Sequence, residues 1–195
     1  LAPLAVMVAR YFKVVPGQDW PRELDNQIWW KSHWKGQLVV LGLTLIGVGL
    51  VWQGTRPLPL HGLLGYTVLI GVGLQILLGL FRGTKGGPTA PQMRGDHYDM
   101  TRWRRIFESV HKSVGYTLLA LALATTLLGL WLANGPRWMW LALGLWWAGL
   151  VVAAIILQLR GHAIDTYQAI WGPDPRHHGN RRRPGWGMRR PLREE

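Results

Sequence analysis

Two apolar stretches of the sequence are similar to each other: residues 61–81, HGLLGYTVLIGVGLQILLGLF, and residues 111–131, HKSVGYTLLALALATTLLGLW. They share His, Gly, Tyr, Thr and Leu at positions 1, 5, 6, 7 and 9, and Leu-Leu-Gly-Leu at positions 17 to 20. Each is about as long as the roughly 20 residues that an α-helix needs to cross the hydrocarbon core of a membrane. They predict two related transmembrane helices, each beginning with a histidine.

Four segments of the chain contain no Lys, Arg, Asp or Glu, and we name them B (36–52), C (61–81), D (114–133) and E (138–159). Charged residues make up 16% of the 195-residue chain, below the roughly 25% of ordinary soluble domains. Lipid leaves backbone polar groups unsatisfied unless they are paired within a helix or a closed barrel. The sequence therefore predicts an all-α, polytopic transmembrane helix bundle.

A fifth apolar segment, A, opens the chain with LAPLAVMVARYFKVV. It is too short to span a bilayer, so we predict four full spans plus the end of a preceding helix. A transmembrane domain covers residues 1–160, and residues 161–195 form a basic tail rich in Pro, Gly and Arg, which is expected to be mobile from residue 172 onward. The predicted helices cover about residues 1–14, 27–53, 61–81, 109–133 and 137–160.

The basic residues are distributed asymmetrically along the chain. Of 22 Lys and Arg residues, 20 fall in 10–35, 82–112 and 160–193, while Arg56 and Arg137 fall on the other side. The positive-inside rule predicts that the two loops and the tail are cytoplasmic, and we expect the inner membrane of a bacterium. The net charge of +12 is attributed to topology and to contact with anionic lipid, not to nucleic-acid binding.

Three of the seven histidines lie near the starts of predicted helices: His33 before segment B, His61 at the start of C, and His111 before D. Ionisable residues in membrane helices usually face a functional interior. Two neutral imidazoles from facing helices can hold one haem b. Because the helices of B and D start at the same face, His33 and His111 are predicted to share one haem. The absence of cysteine excludes thiolate metal sites and covalently attached c-type haem.

His61 is predicted at the opposite face, because segment C runs antiparallel to D. A second haem there needs a ligand from upstream of Leu1, where a complete helix A would begin, and Met139 is an alternative ligand. For all three histidines, a structural hydrogen bond to a neighbouring carbonyl is the other interpretation. His97, His162, His177 and His178 are expected to be solvated loop residues.

Each of the three helix histidines has a glycine on the same helix face three or four residues later. These glycines are Gly36, Gly65 and Gly115. A flat macrocycle between helices needs room, so we predict that the three glycines line the cofactor sites.

The order of these motifs resembles the cytochrome b561 superfamily, particularly its DOMON-linked and ferric-reductase-like branch. The resemblance covers nearly all of residues 1–160 and rests on PLAVMVARYFK at 3–13, His33, HGLLGYTVLIGVGLQ at 61–75 and RRIFESVHKSVGY at 104–116. It implies two b haems near opposite faces, held by helices A and C and by helices B and D, and electron transfer across the membrane. The chain departs from the family in lacking the helix A histidine and a DOMON domain.

The resemblance also implies partners: an electron donor such as ascorbate, for which a quinol is an alternative, and an acceptor outside. Family ascorbate sites use basic residues, represented here by Lys35, Arg82, Lys85, Arg104, Arg105 and Lys112. The protein is an enzyme if its final acceptor is a small molecule. Two other functions stay open: a subunit in which His61 alone holds the magnesium of a chlorophyll-type pigment, and an accessory structural subunit of a membrane complex or a transporter, without a cofactor.

Overall fold

The computed structural model describes residues 1–52, 59–92 and 94–190. The described part of the chain is helical, without a named strand, which confirms the all-α prediction. Arg56, the predicted end of a helix at residue 53, and the tail beyond residue 190 lie outside the described residues. The helices are α1 (Ala2–Tyr11), α2 (Ile28–Val51), α3 (Leu60–Leu80), α4 (Asp96–Asp99), α5 (Arg102–Leu132), α6 (Arg137–Leu159) and α7 (Thr166–Trp171), followed by a 3-10 turn (His178–Arg181).

Helices α2, α3, α5 and α6 are each long and apolar enough to cross a membrane. Their large apolar side chains are extensively exposed; for example, Leu50 is 82% exposed and Leu159 is 83% exposed. Water disfavours so large an apolar surface, whereas lipid does not. The four spans therefore make this an integral membrane protein.

Helix α5 begins seven residues before its predicted start at residue 109. The hydroxyl of Thr101 accepts a hydrogen bond from the backbone N–H of Arg104 at 3.2 Å and caps the helix. One turn later, Arg104 Nε donates to Glu108 Oε1 at 3.1 Å. Hydropathy alone misses these first two turns because they are charged and precede the apolar segment.

The helices pack in the order α1 on α2, α2 on α3 and α3 on α5, while α6 lies against α1. The related helices α3 and α5 approach closely at Gly71, where an added Cβ would lie 2.5 Å from a methyl carbon of Leu118. We name the end of the bundle where α2 and α5 begin the basic end, and the other the far end. His33 and His111 lie at the basic end, and His61 at the far end.

The most buried residues lie in a cap at the basic end, formed by residues 12–27, 82–92, 94–101 and 160–190. Its apolar core is formed by Trp29 of α2 with Tyr167, Ile170 and Trp171 of α7. A helix as short as α7 is marginal on its own, so this burial stabilises it.

Arg190 joins separate parts of the C-terminal segment 160–190 within the cap. Its guanidinium lies 2.9 Å from the carboxylate of Asp165 and donates to the carbonyl of Asn180 at 2.7 Å. Residues 172–190 therefore make defined contacts, and the expected mobility of the tail stays a prediction. Hydrogen bonds from arginine to backbone carbonyls hold this segment. Such bonds leave no apolar periodicity in the sequence, so the sequence does not indicate them.

Candidate cofactor site

The imidazole rings of His33 and His111 lie next to each other at the basic end. Their centres are 6.2 Å apart, and their planes cross at 78°. A bond between a metal ion and an imidazole nitrogen is about 2.0 Å long, so two imidazoles on opposite sides of one metal ion have ring centres about 6 Å apart. The spacing of these two rings therefore fits a metal ion bound by both histidines.

The orientation of His33 is fixed by the backbone of α1. His33 Nδ1 lies 3.0 Å from the carbonyl oxygen of Ala5. A carbonyl only accepts, so Nδ1 carries the hydrogen, and the lone pair of the neutral ring is on Nε2. This is the tautomer that a metal ligand needs.

His111 is held differently. Its ring stacks on Phe107, with ring centres 5.1 Å apart and planes 25° apart. Its Nδ1 is buried and has no hydrogen-bond partner among the described residues. The side-chain amide of Gln75 on α3 donates to the backbone carbonyl of His111 at 3.3 Å.

His61 at the far end repeats the arrangement of His33. Its Nδ1 lies 3.0 Å from the carbonyl oxygen of Thr125 on α5. The ring fits against Gly129, where an added Cβ would lie 2.5 Å from its Cε1. No second histidine faces His61 in the part of the chain that the structure describes, and α6, which carries Met139, packs against α1.

The three predicted lining glycines differ in their surroundings. An added Cβ at Gly65 or Gly115 would meet no described atom within 4 Å, which fits the predicted room beside each histidine. At Gly36 an added Cβ would lie 3.0 Å from the Cβ of Ala5, so this position borders α1, and its place in the lining of the cofactor site stays a prediction. The missing side chain at Gly36 lets α1 approach α2, and it is this approach that brings the Ala5 carbonyl to His33.

Glu108, the single acidic residue of α5, gathers three basic side chains beside the site. Its carboxylate lies 3.2 Å from His97 Nε2, 3.1 Å from Arg104 Nε and 3.5 Å from Lys112 Nζ. The expectation that His97 is solvated is wrong: its side chain is 1% exposed and its ring stacks on Tyr167 at 5.4 Å. Burial lowers the pKa of His97, and the hydrogen bond to Glu108 opposes that effect. The lone Glu108 is the one signal in the sequence that could have indicated this network.

Most of the basic residues considered for an anionic substrate already have partners within the chain. Lys85 Nζ lies 2.5 Å from the fully buried carboxylate of Asp25. The guanidinium of Arg82 lies 4.6 Å from the ring centre of Trp30, a cation–π distance. With Arg104 and Lys112 held by Glu108, these side chains organise the cap.

Lys13 is a buried cation in the same region. It is 2% exposed, and its ammonium group donates to the carbonyl of Ile164 at 2.8 Å. Burial, reinforced by Lys112, lowers the pKa of Lys13 to about 7, although Asp165 and Glu108 oppose the shift.

Comparisons of the chain with protein-family models, with curated proteins and with solved structures found no match. The resemblance to the cytochrome b561 superfamily therefore rests on the quoted motifs. The function has to be argued from the geometry of the three histidines.

Proposed function

We propose that this protein is a membrane cytochrome that binds haem b between His33 and His111 and carries single electrons within or across the membrane. The observation that supports this most directly is the 6.2 Å separation of the two imidazole centres. Two neutral imidazoles from facing helices are the ligand set of a b-type haem. One haem needs no further ligand from the chain.

When bound, the haem supplies the one-electron chemistry. The residues of the chain hold it, exclude water and adjust its electron affinity. The hydrogen bond from His33 Nδ1 to Ala5 makes the imidazole a stronger electron donor at Nε2. Phe107 covers one face of the His111 ring, which keeps water from that ligand and lowers the local dielectric constant.

His61 supports a second site at the far end. Its tautomer is set by Thr125, and Gly129 makes room for its ring. A second haem b there requires another ligand, which on the resemblance comes from upstream of Leu1. A chlorophyll-type pigment requires His61 alone, and this is the second candidate function that the geometry of His61 favours.

The placement in the membrane follows from the charge asymmetry. In the sequence, 20 of the 22 basic residues fall in the segments 10–35, 82–112 and 160–193, which supports a cytoplasmic position for the basic end and our proposal that the membrane is the inner membrane of a bacterium. A cytoplasmic donor such as ascorbate or a quinol would then reduce the haem at His33 and His111. The acceptor is a small molecule outside or another subunit of a membrane complex.

The test is a visible difference spectrum of the purified protein, dithionite-reduced minus oxidised, with haem quantified per polypeptide. We expect His33→Leu and His111→Leu each to lose the basic-end haem. His61→Leu is the matched control, because it changes the same residue type in the same bundle and leaves that haem in place. A wild-type protein without haem overturns the proposal, and a chlorophyll-type absorption band favours the pigment function.

A further inference from the structure

The three helix histidines differ in one respect that the proposed function leaves unexplained. His33 and His61 each place Nδ1 3.0 Å from a backbone carbonyl of a neighbouring helix. Nδ1 of His111 is buried and has no partner among the described residues. As a haem ligand through Nε2, His111 would carry its hydrogen on Nδ1, and because a buried N–H without an acceptor is strongly disfavoured, a neighbouring group has to accept it.

Gln75 is the only side-chain amide of α3. A polar side chain within a transmembrane helix is costly unless it is paired. Its Nε2 donates to the backbone carbonyl of His111 at 3.3 Å. Its Oε1 is buried and, within the described residues, has no hydrogen-bond partner. The two residues in contact thus carry one buried donor and one buried acceptor that are both unsatisfied.

We propose that Gln75 is a positioning residue for His111, whose Nδ1–H donates to Gln75 Oε1 while Gln75 Nε2 donates to the His111 carbonyl. This inference rests on the proposed function, because it takes His111 as a haem ligand. The carboxamide clamps the backbone and the side chain of one residue at once. Gln75 Oε1 accepts the Nδ1–H of His111, as the Ala5 carbonyl accepts the Nδ1–H of His33.

The contact with the His111 carbonyl favours this orientation of the amide over the opposite one. Exchanging the two terminal atoms of Gln75 would place Oε1 against the carbonyl of His111, so that two acceptors would face each other. The exchange would also leave Nδ1–H facing a donor. One orientation of Gln75 satisfies both groups of His111.

The hydrogen bond from His111 to Gln75 is expected to change the midpoint potential of the haem. A partner that accepts the Nδ1–H strengthens the imidazole as a donor at Nε2, which favours the oxidised metal. Gln75→Leu removes the acceptor, so the midpoint potential of the haem is expected to rise. Gln75→Glu keeps an acceptor oxygen and strengthens it, so the potential is expected to fall.

The test combines a redox titration of the haem-loaded protein with 15N spectra of histidine-labelled protein prepared without haem. Gln158→Leu is the matched control, since Gln158 also donates to a backbone carbonyl, that of Gly187 at 2.7 Å, but lies on α6. We expect opposite potential shifts in the two Gln75 variants and none in the control. In the haem-free protein, the Nδ1–H signal that His111→Leu removes is expected to shift in Gln75→Leu.

The outcomes separate this inference from the proposed function. Haem-loaded Gln75→Leu protein with an unchanged potential and an unchanged Nδ1–H signal overturns the role of Gln75 and leaves the cytochrome proposal standing. A shifted Nδ1–H signal in a protein that never binds haem supports the clamp and overturns the cytochrome. If Gln75→Leu does not retain haem, retention by Gln75→Glu supports the acceptor role, and loss in both variants contradicts it.

Discussion

The imidazole planes of His33 and His111 cross at 78° with their centres 6.2 Å apart. Each ring takes its orientation from a different source: His33 from a carbonyl of α1, and His111 from stacking on Phe107. The crossed planes are therefore set by two separate supports. The energies of the iron d orbitals of a bound haem would depend on that angle.

The first prediction concerns the electron paramagnetic resonance spectrum of the oxidised, haem-loaded protein. Perpendicular imidazole planes leave the two iron d orbitals that interact with the rings nearly equal in energy. We expect a highly anisotropic low-spin signal with one dominant low-field feature. The His61→Leu variant isolates the basic-end site for this measurement. A rhombic spectrum with three well-separated features would show that the planes are close to parallel.

The second prediction is that Gly36→Leu weakens both the bundle and the His33 site. The added side chain would meet Ala5, whose Cβ already lies 3.0 Å from the Cβ position of residue 36, and would push α1 away. Overpacking of this kind costs about 1–3 kcal/mol, and the hydrogen bond from His33 to Ala5 would break. We expect a lower thermal midpoint and a raised haem potential.

The control for Gly36→Leu is Gly42→Leu on the same helix. An added Cβ at Gly42 meets no described atom within 4 Å, so the new side chain can extend into lipid. Equal behaviour of the two variants would contradict the assigned role of Gly36.

The third prediction is that Gly129→Ala disturbs the far end alone. The new Cβ would lie 2.5 Å from His61 Cε1, so the ring has to turn away from the Thr125 carbonyl. We expect a loss of stability of about 1–3 kcal/mol and an unchanged basic-end haem, measured by thermal unfolding and haem quantitation. Gly73→Ala on α3 is the control because its surroundings are open. Loss of the basic-end haem in Gly129→Ala would show that the two ends are not independent.

The fourth prediction concerns pH. Burial lowers the pKa of Lys13 from 10.5 to about 7, so between these values the unfolded cap binds more protons than the folded cap. Stability therefore rises as the pH increases through that window, by at most about 1.4 kcal/mol per pH unit. Lys13→Met is expected to stabilise the cap near pH 7 and to flatten the profile.

Hydrogen exchange of α7 amides across that pH range measures the effect of Lys13. Lys31→Met serves as the control, since Lys31 is exposed and its replacement leaves the slope in place. A wild-type profile without any slope would mean that Lys13 is protonated equally in the folded and unfolded cap.

The spans were predictable because lipid demands both a length and a composition. Helices α3 and α6 begin and end within one residue of their expected bounds. The cap was not predictable, because its contacts join distant parts of the chain. Lys13 bonds to Ile164, and His97 pairs with Glu108 across a turn, and neither pairing produces a periodic pattern.

In the candidate site, too, the sequence indicates some features and not others. The proximity of His33 and His111 follows from the depth and direction of their helices, which the sequence carries. The sequence does not indicate which groups orient the two rings. Every residue has a backbone carbonyl like that of Ala5, so the residue type does not indicate which carbonyl accepts the hydrogen bond.

Helix α1 contacts both the His33 site and helix α6. It supplies the carbonyl that orients His33, and Arg10 near its end donates to Gln158 of α6 at 3.2 Å. Gln158 in turn donates to Gly187 of the tail at 2.7 Å. The tail, α6 and α1 are thus linked by a continuous series of hydrogen bonds at the basic end. Helix α1 is thereby held to the bundle from two sides, by its close approach to α2 at Gly36 and by the hydrogen bond from Arg10 to α6.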